Sequence, residues 1–279
     1  MNKKKLLGIV ASYRKSGNGE IVVKSVAERL GDGWELSLIN LPRLRIDPCK
    51  GCYVCLLPGK KCMIKDDVEW ILDRFLEADA IIFTAPDYIL GPVAIVKMLA
   101  DRALQTYGLL SELAKKKTAV ALTLGREDYR GYADTALVAQ VHALGLNVVS
   151  LDNFYGTHPG EVVLAEDYGE KIATLAESLE SDTFGKRVPP NRCPQCFSDL
   201  FRMRDGYCEC AICRSKAKPD EGGLSFVEFG SQFTDEGRRE HGEWLVMKKL
   251  EYAKIKDKLK VIQDRYRGGR WLKPERESD

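Results

Sequence analysis

Residues 6–19 read LLGIVASYRKSGNG, an apolar run followed by a small polar loop, and an amphipathic pattern continues to Leu30. The run from Leu6 to Ala11 is typical of a strand that is covered on both faces, as in a parallel sheet. A strand, a polar loop and the start of a helix form a ready phosphate site, because unpaired backbone N–H groups and the helix dipole point at the loop. This stretch therefore predicts a β–loop–α unit that binds a phosphate group.

The rest of the first 180 residues alternates between the two patterns. Further strands are predicted at Trp34–Leu38, Ala80–Ala85, Thr118–Leu124 and Asn147–Leu151, and helices at Glu20–Leu30, Asp66–Ala78, Tyr132–Leu144 and within Glu161–Glu180. Pro86 to Gly91 is predicted to be a turn-rich loop, with Pro92 at the first position of another helix. The β–α alternation predicts the α/β fold class, with a doubly wound, five-stranded parallel sheet.

Ligands of doubly wound sheets bind outside the carboxyl ends of the strands, where the strand order switches. The loops that begin at Ser12, Pro86 and Gly125 leave such ends, and so does a cysteine-containing loop after the second strand. The first loop contains neither G-x-G-x-x-G nor the G-K-[ST] of a nucleoside triphosphatase, which favours a mononucleotide with one terminal phosphate. An ordinary polar turn is the alternative for this loop.

Four cysteines lie within fourteen residues in the pattern C-x2-C-x2-C-x6-C, at Cys49, Cys52, Cys55 and Cys62. Zinc sites usually take their thiolates from two separated C-x2-C pairs, whereas successive C-x2-C steps are typical of the run that wraps an iron–sulfur cube. The pattern favours a four-cysteine iron–sulfur cluster. A zinc knuckle is the second interpretation, and a disulfide or free thiols the third.

FMN fits a mononucleotide site beside a redox cluster, because flavin accepts electrons singly or in pairs and an iron–sulfur cluster passes one at a time. Tyr88 is the candidate to lie against the isoalloxazine ring, with a half-buried loop aromatic as the alternative. Backbone amides near Ile89 and Gly125 are candidates to bond the rim of the ring. The predicted cofactor-binding residues are Ser12, Arg14, Ser16, Asn18, Gly19, Pro86, Asp87, Tyr88, Ile89, Leu124 and Gly125.

Several of these stretches together carry a family resemblance. They are Ser12-x-Arg14-Lys15-x-Gly17-Asn18, Asp47-Pro48-Cys49-x-Gly51-Cys52-Tyr53-x-Cys55 with Cys62 and Lys65-Asp66-Asp67, Ala85-Pro86-x-Tyr88, and Lys97 with Asp101-Arg102. Over about residues 4–180 the chain resembles the iron–sulfur flavoproteins of the wider NADPH-dependent FMN reductase group. The phosphate loop departs from the common family pattern, because Ala11, Tyr13 and Gly19 replace a glycine, a proline and a threonine.

The resemblance implies a flavodoxin-like fold that binds FMN and a [4Fe–4S] cluster. It also implies a homodimer or homotetramer in which the cluster of one subunit lies near the flavin of another. Members of this family exchange electrons with ferredoxin-like donors or reduce small acceptors, so we expect a ferredoxin-like protein or NAD(P)H as the electron donor.

A second group of cysteines follows in the pattern C-x2-C-x13-C-x2-C, at Cys193, Cys196, Cys210 and Cys213. Paired C-x2-C knuckles at this separation are typical of a zinc ribbon, which the metal would hold together because the module is too small for a core of its own. Rubredoxin-like iron is the alternative, although neither knuckle is followed by the glycine usual in rubredoxin loops. Cys208 is either a spare thiol or a ligand in place of Cys210.

The expected organisation has four parts. Residues 1–180 form the flavodoxin-like domain with the cluster loop at 47–65, residues 181–191 a linker, residues 192–230 the ribbon and residues 231–279 a basic amphipathic helical tail. The tail has 12 basic and 5 acidic side chains between Arg238 and Lys273, and its apolar residues recur at helical spacing, at Leu245, Tyr252, Ile255, Leu259, Ile262 and Tyr266. The favoured interpretation is a helix packed on its own domain or a sister subunit, and docking of an acidic partner or nucleic acid is the alternative. The missing base-reading motifs argue against nucleic acid.

Nine cysteines in two tight groups, with no export signal and no apolar span, predict a cytoplasmic protein with no membrane contact. No catalytic acid or base is predicted, and His142, His158 and His241 are assigned no role in catalysis. The favoured function is an FMN-dependent oxidoreductase that passes electrons between cluster and flavin. The alternatives are an NAD(P)H-dependent FMN or quinone reductase with structural metal sites, and a redox-sensing module that binds partners through the ribbon and tail.

Overall fold

The computed structural model describes residues 3–181, 186–189 and 191–268, and it contains one large and one small sheet. The strands of the large sheet are β1 (Lys4–Val10), β2 (Trp34–Asn40), β3 (Ala80–Tyr88), β4 (Gly91–Pro92), β5 (Lys117–Leu124) and β6 (Asn147–Tyr155). The five long strands are parallel and lie in the order β2-β1-β3-β5-β6, with β4 paired antiparallel to the end of β3. This is the strand order of flavodoxin-like folds, so the predicted fold class is confirmed.

Helices cover both faces of the sheet, as the apolar strands require. They are α1 (Asn18–Leu30), α2 (Val68–Glu77), α3 (Ala94–Ala100), α4 (Leu110–Leu113), α5 (Ala133–Ala143), α6 (Tyr168–Glu180) and α7 (Asp235–Arg265). Helices α1 and α6 bury one face of the sheet in a core that includes Val22 and Leu175. Helices α2, α3 and α5 bury the other face, around residues such as Phe75 and Phe83. The two cores hold the sheet rigid, so its carboxyl edge is a fixed platform for the loops.

Two predicted elements are wrong at this edge. Strand β3 continues through Pro86 to Tyr88 instead of ending at Ala85, because Pro86 still pairs in register with Thr123 of β5. Pro92 does not start a helix but faces Asp87 in the short β3–β4 pairing, and α3 begins at Ala94. The predicted turn-rich loop from Pro86 to Gly91 is therefore a tight hairpin turn at residues 89–90. Strand β6 also extends four residues beyond the predicted end at Leu151.

The small sheet is antiparallel and carries the second cysteine group. Its strands are β7 (Phe201–Arg204), β8 (Tyr207–Cys210), β9 (Lys216–Asp220) and β10 (Gly223–Glu228), in the order β10-β9-β8-β7. Phe197 reaches out of this module and is fully buried in the core on the α5 side of the large sheet. On the N-terminal side, the Arg187 N–H donates to the Val149 carbonyl at 3.3 Å. The ribbon is thus anchored on the large sheet at both sides of its first knuckle.

Helix α7 supplies the predicted helical tail, and it begins with a capped N-terminus: the Thr234 hydroxyl accepts from the Gly237 N–H at 3.1 Å. Its first half packs on the segment before α4, where Gly242 lies against the ring of Tyr107 so closely that a side chain would collide with the ring. Residues 182–185 and 190 of the predicted linker and residues 269–279 of the predicted tail lie outside the described residues. Over the part of the chain that is described, none of the helices has both the length and the apolar character needed to cross a membrane.

Candidate functional site

The loop after β1 is curled around the Ser12 hydroxyl, which accepts a hydrogen bond from the Arg14 N–H at 3.2 Å. Gly17 approaches the same hydroxyl so closely that a Cβ atom there would lie 3.2 Å from it. Beside the loop is a polar cavity of about 210 Å³, and Arg14 and Ser16 line it. The predicted phosphate-binding residues are therefore brought together, in a loop that opens into the N-terminus of α1.

Arg43 also lines this cavity, together with Asn40 at the end of β2, and sequence reasoning missed both residues. The Asn40 side chain donates to the Ser12 carbonyl at 3.3 Å, so β2 supports the phosphate loop. The available signal was positional, since a polar residue at the carboxyl end of a strand next to β1 falls at the ligand edge.

Gly19 explains part of the departure from the family pattern. An added Cβ atom at Gly19 would lie 2.8 Å from the Thr84 hydroxyl oxygen, inside normal contact distance. Thr84 is buried, and its hydroxyl donates to the Ile9 carbonyl at 3.1 Å. A threonine, which the family resemblance leads us to expect at this position, is incompatible with this neighbour, because the side chain on β3 already fills the space.

A loop after β6 closes over the phosphate loop, and sequence reasoning did not include it. Asn18 joins the two loops: its amide nitrogen donates to the Gly156 carbonyl at 2.9 Å, and its amide oxygen accepts from the Gly160 N–H at 2.8 Å. Arg14 donates to the Thr157 carbonyl at 2.6 Å. Asn18 and Arg14 therefore hold the loop in its observed conformation, and of the two only Arg14 also lines the candidate phosphate cavity.

The same loop reaches the predicted flavin-rim residues after β5. The Gly156 N–H donates to the Leu124 carbonyl at 2.8 Å, and a Cβ atom on Gly125 would lie 2.9 Å from the Thr157 methyl group. The loops after β1, β5 and β6 thus meet at one edge of the sheet. This fits a phosphorylated ligand that extends from the α1 terminus across the strand ends.

The turn after β3 supplies an exposed aromatic and apolar surface at this edge. Ile89 and Leu90 have positive φ angles of 53° and 65°, which is unusual for branched side chains and costs free energy. The Ile89 side chain is 94% exposed, and Tyr88 and Tyr132 are also exposed. A flat aromatic ligand suits such a surface, because it would cover side chains that water otherwise contacts.

Asp87 provides a second test of the fit. Its Oδ1 atom is buried and receives no hydrogen bond from any residue that the structure describes. Burial raises the pKa of the Asp87 carboxyl above its ordinary value, and the nearby charge of Asp134 raises it further. A buried acceptor without a donor suits a ligand that brings an N–H group, which an isoalloxazine ring has.

The first cysteine group lies in an exposed loop that left-handed residues bend. Gly51 and Tyr53 have φ angles of 60° and 55°, and the Gly51 N–H donates to the Cys49 sulfur at 3.4 Å. Cys49 and Cys52 are exposed. Burial and then the negative charges of Cys62 and Cys52 raise the pKa of the Cys55 thiol.

The ends of this loop are fastened by Arg102 and Asp66. Arg102 donates from Nη2 to the Cys62 sulfur at 3.3 Å and from Nη1 to the Asp47 carbonyl at 2.9 Å. It also forms a buried ion pair with Asp66, whose carboxylate accepts from the Asp47 N–H at 2.8 Å. The donor set of thiolates beside one arginine fits a polynuclear iron–sulfur cluster, which places its ligands on separate irons.

The second cysteine group converges on one point. The sulfurs of Cys193, Cys196, Cys210 and Cys213 all lie within 4.8 Å of one another and are buried. Two of the separations are 3.4 Å and 3.6 Å, close to the roughly 3.8 Å edge of a tetrahedron with Zn–S bonds of about 2.3 Å. Within the described ranges, no comparable single-ion geometry joins the first cysteine group. Hydrogen bonding from Cys196 lowers the pKa of the Cys193 thiol below its ordinary value.

The two knuckles have the same backbone conformation. The Cys193 N–H donates to the Ser198 carbonyl at 2.8 Å, and the Cys210 N–H donates to the Ser215 carbonyl at 2.7 Å. The residues after the knuckles, Phe197 and Arg214, have φ angles of 62° and 67° in the positions where glycine is usual. Cys208 lies outside the group, with its sulfur 3.5 Å from that of Met203.

The chain is similar to known proteins in both sequence and fold. Residues 4–158 match the family model described as NADPH-dependent FMN reductase. An iron–sulfur flavoprotein from Methanocaldococcus jannaschii is 40% identical over 100 residues, which are 36% of this chain and 51% of that protein. An iron–sulfur flavoprotein from Archaeoglobus fulgidus is 32% identical over 184 residues, which are 62% of this chain and 81% of that protein.

A solved structure of a flavone reductase is similar over nearly the whole molecule. The alignment covers 97% of this chain and 100% of that one, with 20% sequence identity and a TM-score of 0.71. The arrangement of the large sheet with its C-terminal additions therefore exists in a second protein of low sequence identity.

Proposed function

The chain belongs to the NADPH-dependent FMN reductase family and is an FMN-dependent oxidoreductase, and from this premise we propose that it is an iron–sulfur flavoprotein that passes electrons between a [4Fe–4S] cluster and FMN. The observation that carries the proposal is the pairing of two sites in one domain. A phosphate loop at Ser12–Gly19 opens onto the sheet edge, and a loop with four cysteines leaves the same edge after β2.

The residues that would hold FMN are those whose placement fits its parts. The loop of Ser12, Arg14, Ser16 and Asn18 suits the terminal phosphate, because it offers amides and a guanidinium at a helix N-terminus. Gly19 contributes only its backbone to this loop, because Thr84 occupies the space that a side chain on Gly19 would need. Asp87, Tyr88 and Ile89, with Leu124 and Gly125, suit the ring and its polar rim. FMN supplies the ability to take two electrons together or one at a time.

The first cysteine group would hold the cluster, and the chain tunes that site through Arg102. A charged donor at a ligand sulfur is among the features that set the potential of such clusters. Two of the four cysteines are exposed, so a protein that carries single electrons has access to this loop. Lys50, Lys60 and Lys61 lie in or beside the loop, which favours an acidic, ferredoxin-like donor.

The acceptor is proposed to be a small molecule or a protein that meets the exposed turn after β3. A second candidate is a reductase that takes hydride from NAD(P)H and uses its metals only structurally. This second candidate is supported by the family, whose description is NADPH-dependent FMN reductase, and by the exposure of Tyr88 and Ile89 where the flavin ring is proposed to lie. Zinc is proposed for the second cysteine group in both cases, because the sulfur separations suit a single tetrahedral ion.

Stopped-flow reduction under anaerobic conditions separates the two candidates. FMN-loaded protein is mixed with a reduced ferredoxin or with NADPH, and flavin absorbance is followed in the wild type and in Cys55→Ser. The proposal expects fast reduction by ferredoxin that the substitution slows at least tenfold. Fast reduction by NADPH alone, unchanged in Cys55→Ser, would instead establish the second candidate.

A further inference from the structure

An ion-pair network joins the ribbon to the loop between β5 and α5. The carboxylate of Asp134, which is fully buried at the start of α5, accepts from Arg192 Nη2 at 2.5 Å and from Arg130 Nη1 at 2.5 Å. Asn153 of β6 donates to the same carboxylate at 2.9 Å. Arg192 directly precedes the metal-ligand candidate Cys193, so the first knuckle is tied to a buried charge of the FMN domain.

The other side of the knuckle makes a second link. Asp199, three residues after Cys196, accepts from Arg130 Nη2 at 2.7 Å and from the Thr135 hydroxyl at 2.8 Å. Arg130 therefore bridges Asp134 of the large domain and Asp199 of the ribbon. Charged hydrogen bonds in a buried setting are strong and directional, so the positions of these residues depend on one another.

The ribbon depends on its metal site for order. Its own buried cluster consists of the four cysteines, and partly buried side chains such as Phe201 and Phe226 pack against it. Both knuckles end on non-glycine residues in left-handed conformations, Phe197 and Arg214, which cost free energy. A module of this size gains most of its folding free energy from the bound ion. Without metal, Arg192 and Asp199 lose the backbone that places them.

The network continues from Arg130 to the turn proposed to receive the flavin ring. Tyr132, two residues later, donates its backbone N–H to the Leu90 carbonyl at 3.2 Å. Gly131 lies so close to Leu90 that a Cβ atom on it would be 2.5 Å from that of Leu90. Leu90 and Ile89 hold strained conformations, which persist only where surrounding contacts impose them.

We propose that the metal of the second cysteine group acts as a brace for the flavin site: it fixes Arg192 and Asp199, and through Arg130 and Asp134 it orders the turn after β3. Loss of this metal therefore weakens FMN binding while the large sheet stays folded. This inference rests on the proposed function in one respect, namely that FMN binds at this edge of the sheet.

The test uses the full chain and two ways of breaking the brace. Cys210→Ser removes a ligand and with it the metal. The double substitution Arg192→Gln with Asp199→Asn keeps all four cysteines and removes both links. FMN affinity is measured by quenching of flavin fluorescence, metal content by elemental analysis, and the fold of the large domain by circular dichroism. Glu228→Gln is the matched control, because Glu228 pairs with Lys216 on the outer hairpin of the ribbon at 2.7 Å.

Both variants should raise the FMN dissociation constant about tenfold, within the usual range for coupled sites. The double variant should keep its metal, and combining it with Cys210→Ser should add little, because both act on the same path. Glu228→Gln should bind metal and FMN like the wild type. Unchanged FMN affinity in Cys210→Ser or in the double variant overturns the brace. A wild type that binds the metal but no FMN would refute the proposed function instead.

Discussion

The Nη2 atom of Arg102 lies 3.3 Å from the sulfur of Cys62, although forty residues separate them in the chain. The same guanidinium pairs with Asp66, and both side chains are only 1% exposed. The cysteine loop thus begins and ends at a buried ion pair between Asp66, just before α2, and Arg102, just after α3. This pair explains how an exposed loop with little apolar burial keeps a defined base.

Replacing Arg102 by Met should destabilise the protein by about 3 kcal/mol, because it leaves the Asp66 carboxylate buried without its partner. Guanidinium-chloride unfolding of air-free protein measures the change. Lys97→Met is the matched control: Lys97 pairs with Asp101 just before Arg102, but both side chains are exposed, so the loss should stay below about 1 kcal/mol. Equal losses in the two variants would contradict the role assigned to burial.

Gly19 and Gly169 offer a second paired experiment, since each is the second residue of its helix. Gly19→Ala should cost about 1–3 kcal/mol through collision with Thr84. Gly169→Ala meets no atom within 4 Å and should stabilise the protein by about 0.5–1 kcal/mol, because alanine is the better helix former. The thermal unfolding midpoints of both variants test these changes in stability. A higher midpoint for Gly19→Ala would show that Thr84 moves to make room for the added methyl group.

His142 makes stability depend on pH. Burial, and to a smaller extent the charges of Lys186 and Arg238, lower the pKa of this imidazole from 6.5 to about 3. The ring stacks on Phe233 with the centroids 5.1 Å apart. In the unfolded chain the His142 imidazole binds a proton as the pH falls through 6.5, whereas in the folded chain it stays neutral until about pH 3. The free energy of unfolding therefore decreases as the pH drops below 6.5.

At pH 5 the His142 contribution to this loss should be about 2 kcal/mol relative to pH 8. His142→Phe keeps an aromatic ring against Phe233 and removes the titration, so its stability should fall less between pH 8 and pH 5 by about that amount. Denaturant midpoints at both pH values measure the difference. The same pH dependence in both proteins would show that other groups, not His142, are responsible.

The two cysteine groups should respond separately to substitution. Cys52→Ser should abolish the iron signal and leave FMN bound, because the phosphate loop and the turn after β3 do not include the cysteine loop. Cys208→Ser is the control, since this thiol lies beside Met203 and outside both groups. Iron, zinc and flavin are quantified in each variant. Loss of FMN together with iron in Cys52→Ser would mean that the cluster loop also organises the flavin site.

Local patterns were sufficient for much of the fold. The apolar run from Leu6, the loop after it and the amphipathic helix predicted β1 and α1, and the same alternation predicted the order of the remaining strands and helices. The prediction failed where proline was taken as a boundary. Pro86 lies inside β3 and Pro92 inside β4, because sheet registers with neighbouring strands outweigh the local preference of the residue.

Long-range side-chain contacts could not be predicted from the sequence, for a different reason. The sequence does not show which distant residue a buried arginine contacts, so the contacts of Arg102 with Cys62 and of Arg192 with Asp134 could not be predicted. Similarly, the left-handed conformations of Phe197 and Arg214 at the ends of the two knuckles could not be predicted, because glycine is the residue that usually indicates such a position. These contacts depend on the packed fold, and they are the ones that shape the cluster loop and the brace.

The central claim is that the first four cysteines hold iron and sulfide beside a flavin. Air-free purification, followed by analysis of FMN, iron and acid-labile sulfide and by low-temperature EPR of the reduced protein, tests it most directly. The account predicts one FMN with about four irons and four sulfides per chain in the cluster, and an EPR signal that Cys52→Ser abolishes. Protein with bound flavin and zinc but no sulfide would contradict it.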